Sequence, residues 1–180
     1  MSKINRQGRS INGADVRHLL PDEDPVEFQA LWGTLISELA PQTAFQRRVV
    51  DSVINVEWDM VRHRRLLAAA LRTEFCNQAG LIEQGRDPGR FTTLTQSPFR
   101  DTNIGRALLR GDAKEAEKLR QSGVTMSELT AAALISRSDT VAYHEARIAD
   151  LERRRRQLMT DLEIMRARGT PGDIVDLEVN

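Results

Sequence analysis

From residue 25 onward, apolar side chains recur at intervals of three and four along most of the chain. Phe28, Leu31, Trp32, Leu35, Ile36 and Leu39 would line one face of a helix. Asp24 suits its N-cap, Pro25 its first turn and Glu27 the positive end of its dipole, and Pro41 stops it and is placed to open the next. No Gly or Pro occurs from residue 42 to 79. There Val49, Val53, Val56, Met60, His63, Leu67 and Ala70 alternate spacings of four and three, which is a heptad seam, continued loosely by Leu71 and Phe75. Gly80 and Gly85 are expected to end this long helix. Residues 102 to 123 read as one or two short helices, broken near Gly111 and closed by Gly123. A second long helix is predicted from Thr125 or Ser127, with Glu128 completing a capping box on Thr125. Its seam is Val141, His144, Ile148, Leu151, Arg155, Leu158, Leu162 and Met165, and Gly169 and Pro171 close it.

Two long helices with matched seams predict an all-α fold, an antiparallel coiled-coil-like hairpin with shorter flanking helices. The seams can pair within one chain or with a second chain. A single helix pair has a narrow core, so the face from Phe28 to Leu39 and the short middle helices are expected to cover it. The domain reading is a flexible basic arm at 1–22, a helical domain at 23–169 and a flexible acidic-apolar tail at 170–180. A long connection at 85–102, rich in Gly, Pro and Thr, interrupts the domain.

Composition narrows the function. Lys plus Arg number 26 and Asp plus Glu number 26, so the formal net charge is zero. A dedicated DNA-binding domain is usually strongly basic. Aromatics make up only 4% of the chain, which suits narrow helical stripes better than sheets. The one cysteine, Cys76, allows no intrachain disulfide and no thiolate metal cluster; it fits a reducing cytoplasm. No apolar run is long enough to cross a membrane.

The run Arg153-Arg154-Arg155-Arg156 is the strongest local charge. The heptad puts Arg155 in the seam, where its stem can lie along apolar neighbours while its head reaches a carboxylate. Arg153, Arg154 and Arg156 fall on the flanks or outer face. Residues 143 to 168 hold seven arginines against five acids, and Asp150–Arg154 and Glu152–Arg156 are spaced for i, i+4 ion pairs. A charge-laced helix surface is the leading reading, and phosphate contact the alternative. In "EWDMVRHRRL", Trp58 stands four residues before Arg62, close to Arg64 and Arg65. A cation–π partner site is available there, against the plainer reading of a ring packed at the seam's edge.

Catalytic constellations are not found. His63 and His144 both occupy seam positions and fall within about two helical turns of each other if the long helices run antiparallel. A metal would need further ligands, with Glu57, Asp59 and Glu145 the obvious carboxylates. Hydrogen-bonded core histidines are the expected reading. "GRDPGR" lacks the Gly-Lys-Ser/Thr of a phosphate-binding loop, and Cys76 has no motif around it.

The stretch "LPDEDPVEFQALWGTLISELAPQTAFQRRVVDSVINVEWDMVRHRRLLAAAL" resembles the amino-terminal region of a bacterial family of uncharacterised helical proteins. That family pairs an acidic "EDP-EF" start and a Pro-spaced second helix with a Trp and an Arg-Arg. The late "YHEARIADLERRRRQL" is similar to its Tyr-containing, Arg-rich final helix. The resemblance spans roughly half the chain and implies a helical fold, with no catalytic residues. The chain departs from the family in the arm, where "INGADVRHLL" replaces the usual Lys-His-Gly. The expectation is a non-enzymatic cytoplasmic protein that needs no cofactor and acts by association, with a protein partner or itself. The alternative is a nucleic-acid accessory role for the arm and the 153–156 patch. Trp58, Arg62, Arg65, Arg153, Arg154 and Arg156 are the candidate interaction residues.

Overall fold

The computed structural model describes residues 19–83 and 103–168. Six helices carry 85% of these residues, and no strand occurs among them. They are α1 (Pro25–Leu39), α2 (Ala44–Glu83), α3 (Asn103–Leu109), α4 (Ala113–Gln121), α5 (Met126–Ser136) and α6 (Ser138–Ala167). No helix among the described residues is long and apolar enough to cross a membrane. The expected arm up to residue 18, the 85–102 connection and the 170–180 tail lie outside the described residues.

Local chemistry sets most helix ends. The Asp24 carboxylate accepts the Val26 N–H at 2.8 Å, and Pro25 follows in the first turn. α1 ends on Ala40 in the left-handed region, φ 36°, with its N–H donated to the Ile36 carbonyl, and Pro41 bars continuation. Pro41 does not open α2, as its position had suggested. Thr43 does: its hydroxyl accepts the Gln46 N–H at 3.1 Å, and the Gln46 side chain accepts the Gln42 N–H at 2.7 Å. The expected Thr125–Glu128 capping box closes at both ends. Asp112 caps α4, and Gly111 and Gly123 take positive φ at its two flanks.

Two helix boundaries differ from the sequence expectation. α2 runs through Gly80 to Glu83. An interior glycine costs a helix roughly 1 kcal/mol against alanine, but Phe75, Ala79 and Ile82 on the same stretch pack into a core, and burial of that order outweighs it. The helix expected to run unbroken from Thr125 is split at Arg137, φ −111° and ψ 21°. The break is held from outside: Ser136 donates to one Glu74 oxygen at 2.9 Å, and Arg137 to the other at 3.1 Å.

The described residues form two compact units, one from 19–61 with 149–168 and one from 62–83 with 103–148, and α2 and α6 contribute to both. In the first unit Phe28, Val50, Ile54, Trp58 and Leu162 form one core, covered by Leu31, Trp32, Leu35, Ile36 and Leu39 of α1. Leu19, at the end of the expected arm, also packs there. Val56, Met60 and Leu151 form a neighbouring cluster with Leu158 against it. Lower numbers on α2 meet higher numbers on α6, so these segments run antiparallel. Leu162 is fully buried; a leucine so placed contributes roughly 1.5–3 kcal/mol. In the second unit Phe75, Ala79, Leu108, Leu119, Leu129 and Ala133 bring α2, α3, α4 and α5 together. α3 comes so close that a Cβ on Gly105 would lie 2.5 Å from Cys76 Cα.

Candidate functional site

One member of the arginine run reaches across to α2. Arg155 extends from its seam position to Glu57, with guanidinium nitrogen and carboxylate oxygen 2.7 Å apart. All four arginines of the run are exposed. Asp150, spaced for Arg154, holds Arg153 in an ion pair one residue nearer. The three outer guanidiniums therefore lie on the surface of the first unit, along one helix.

Trp58 is a core residue. Only 3% of it is exposed, and its ring meets Phe28 edge-on, centroids 5.3 Å apart. It is not a surface anchor. A different tryptophan makes a cation–π contact: the Arg47 guanidinium lies 4.9 Å from the centre of the Trp32 ring. Sequence spacing could not find this pair, because its members sit on separate helices. Arg62 is half-buried and Arg65 exposed, both on the part of α2 in the second unit.

The two seam histidines, expected within two turns, meet directly. His63 Nδ1 and His144 Nδ1 are 2.8 Å apart, a hydrogen-bond distance, with ring centroids 5.1 Å apart. Tyr143 lies edge-on to both rings, at 6.2 Å from His63 and 5.2 Å from His144. His144 is buried and His63 half-buried. Among the described residues, no group of three or more His, Cys, Asp or Glu is placed to hold a metal.

A buried polar cluster went unseen in the sequence. Glu74 accepts hydrogen bonds from Gln78 at 2.8 Å, Ser136 at 2.9 Å and Arg137 at 3.1 Å. Burial pushes its carboxyl pKa up; the bonds from Gln78 and Ser136 and the charge of Arg137 outweigh that, and the net direction is down. The only sequence signal was a buried-side acid on α2 and a Ser-Arg-Ser-Asp-Thr run inside an otherwise apolar-periodic helix. Cys76 is buried, and burial pushes its thiol pKa up against the opposing charge of Arg106. That direction disfavours the thiolate.

α5 is apolar on two sides. Leu129, Ala132 and Ala133 are buried, while Met126, Leu134 and Ile135 are 40%, 42% and 63% exposed. Comparison of the chain with family models, curated proteins and solved structures returned no match.

Proposed function

We propose that this protein acts by association, with a second copy of itself or with another protein, and carries no active site of its own. The outward apolar side of α5 supports this reading best. Leu134 and the next residue, Ile135, stand just over two turns beyond Met126, and all three leave apolar surface in water, where burying the part still exposed would stabilise by about 1 kcal/mol for each side chain. A zero formal charge removes the long-range repulsion that keeps copies apart. A cytoplasmic setting belongs to the same proposal, on the strength of the single cysteine.

Sedimentation equilibrium tests it. The wild type is expected to exceed the 20.3 kDa of one chain, or to retain a partner from extracts of its native host after nuclease treatment. The double change Leu134→Glu and Ile135→Glu, at exposed positions, is expected to abolish either result while leaving the circular dichroism spectrum unchanged. A monomeric wild type with no nuclease-resistant partner would remove the proposal.

The exposed guanidiniums of Arg153, Arg154 and Arg156 favour one other reading, a nucleic-acid accessory role. Under it, changing all three to Gln would weaken binding to every sequence alike. It would also flatten the slope of log affinity against log salt by roughly 0.9 per lost phosphate contact on duplex DNA.

A further inference from the structure

We propose that the His63–His144 pair is a proton-sensitive latch between α2 and α6 in the second unit. The latch is closed while the two rings hold a single Nδ1 proton between them and opens when a second arrives. The geometry carries the argument. With the two Nδ1 atoms 2.8 Å apart, one ring must donate and the other accept. A neutral pair satisfies this with one tautomer of each kind. A singly charged pair satisfies it better, because the donor is then cationic and the bond charge-assisted. A doubly charged pair cannot satisfy it: both Nδ1 atoms carry hydrogen, no acceptor remains in the pair, and two like charges face each other where His144 is buried and His63 half-buried. The rings must part.

Within four residues of His63 on α2 stand Asp59, Arg62, Arg64 and Arg65, and within four of His144 on α6 stand Tyr143, Glu145 and Arg147. At the spacings of three and four that share a face with the rings stand only Asp59 and Arg147, one carboxylate and one guanidinium, so the sign rests on the Nδ1 contact itself. The layer is also the thinnest part of α2. Every described residue from 62 to 73 is half-buried or exposed, so little apolar packing resists parting of the rings there.

The direction of the pH effect follows from proton counting. Below the ordinary imidazole range, near pH 6.5, the unfolded chain binds two protons at these positions and the closed pair binds one. Stability must therefore fall as pH falls. His63→Gln removes the conflict: a glutamine oxygen can accept from a protonated His144, so folded and unfolded chains then bind the same single proton. Between pH 6.5 and 5.0 the folding equilibrium constant of the wild type is expected to drop about tenfold more than that of His63→Gln, measured by urea unfolding. His18 and all carboxylates are common to both chains and cancel in the comparison.

Amide hydrogen exchange on the wild type provides a second reading that needs no variant. Corrected for intrinsic rates, exchange at residues 62–67 and 141–148 should accelerate at least tenfold from pH 7.5 to 5.0, while α4 and the capping box of α5 hold their protection. Parallel pH slopes for the two chains would overturn the latch. So would unchanged protection at those residues at pH 5.0, with nitrogen-15 spectra showing both imidazoles fully protonated in a folded molecule.

Discussion

Arg155 shows how a charged residue can occupy an apolar seam. Its neighbours along the heptad, Leu151 and Leu158, are buried and half-buried, and its head is carried out to Glu57. The side chain is about half exposed, 46%, so the ion pair itself is screened and contributes little; a stem laid along the seam would contribute the rest. Arg155→Gln is accordingly expected to lower stability by about 0.5–1 kcal/mol. Arg153→Gln, Arg154→Gln and Arg156→Gln are each expected to stay within about 0.5 kcal/mol of the parent, as exposed substitutions do. Chemical denaturation of the four single variants checks the ranking. An outer arginine as costly as Arg155 would mean the seam follows another register. The seam was legible at this scale because burial on α6 falls on His144, Leu151 and Leu162, three members of one heptad pattern. Trp58 was less legible: its spacing to Arg62 suggested a surface partner, whereas burial against Phe28 came from a helix 30 residues away in sequence.

At the scale of the helix, Glu74 decides where α5 ends and α6 begins. Nothing local forbids a continuous helix through Arg137, which is why periodicity alone predicted one. A carboxylate from α2 that takes the Ser136 hydroxyl and the Arg137 guanidinium is a long-range cause, invisible to any short window. The same is true of α2 passing Gly80. The capping box at Thr125, the Asp24 and Asp112 caps and the glycine turns at 111 and 123 depend only on neighbours within a few residues, and these were readable. Glu74 also gives a pH signature. Its carboxyl titrates below its ordinary value of 4.5 in the folded chain. The unfolded chain therefore takes up the proton first as pH falls. The stabilisation is complete above that ordinary value and is lost as pH drops through the folded one. Glu74→Gln is expected to cost roughly 1–3 kcal/mol at pH 7, the range for breaking buried, charge-assisted hydrogen bonds, and to flatten the stability profile below pH 4.5 relative to the wild type. Equal profiles for the two chains would show that Glu74 does not hold the break.

For the whole molecule, the all-α class and the antiparallel course of α2 and α6 within each unit were readable from two matched seams. The arrangement of α3, α4 and α5 around Phe75 and Ala79 was not, because short helices with few apolar residues leave no pairing rule in the sequence. The proposed association rests on residues with the same limitation: Leu134 and Ile135 belong to an apolar run, and only the fold separates them from the buried Leu129 and Ala133. One close approach in the second unit has a practical use. Gly105 sits where any side chain would strike the Cys76 backbone, so α3 shields the chain's single thiol. A colorimetric disulfide reagent can reach that sulfur only when α3 lifts away. Its reaction rate is then a stopwatch for that motion, read without attaching any label beforehand. Thiol release is expected to be at least a hundredfold slower than in urea-unfolded chain, and Gly105→Val should restore much of the unfolded rate by wedging the two helices apart.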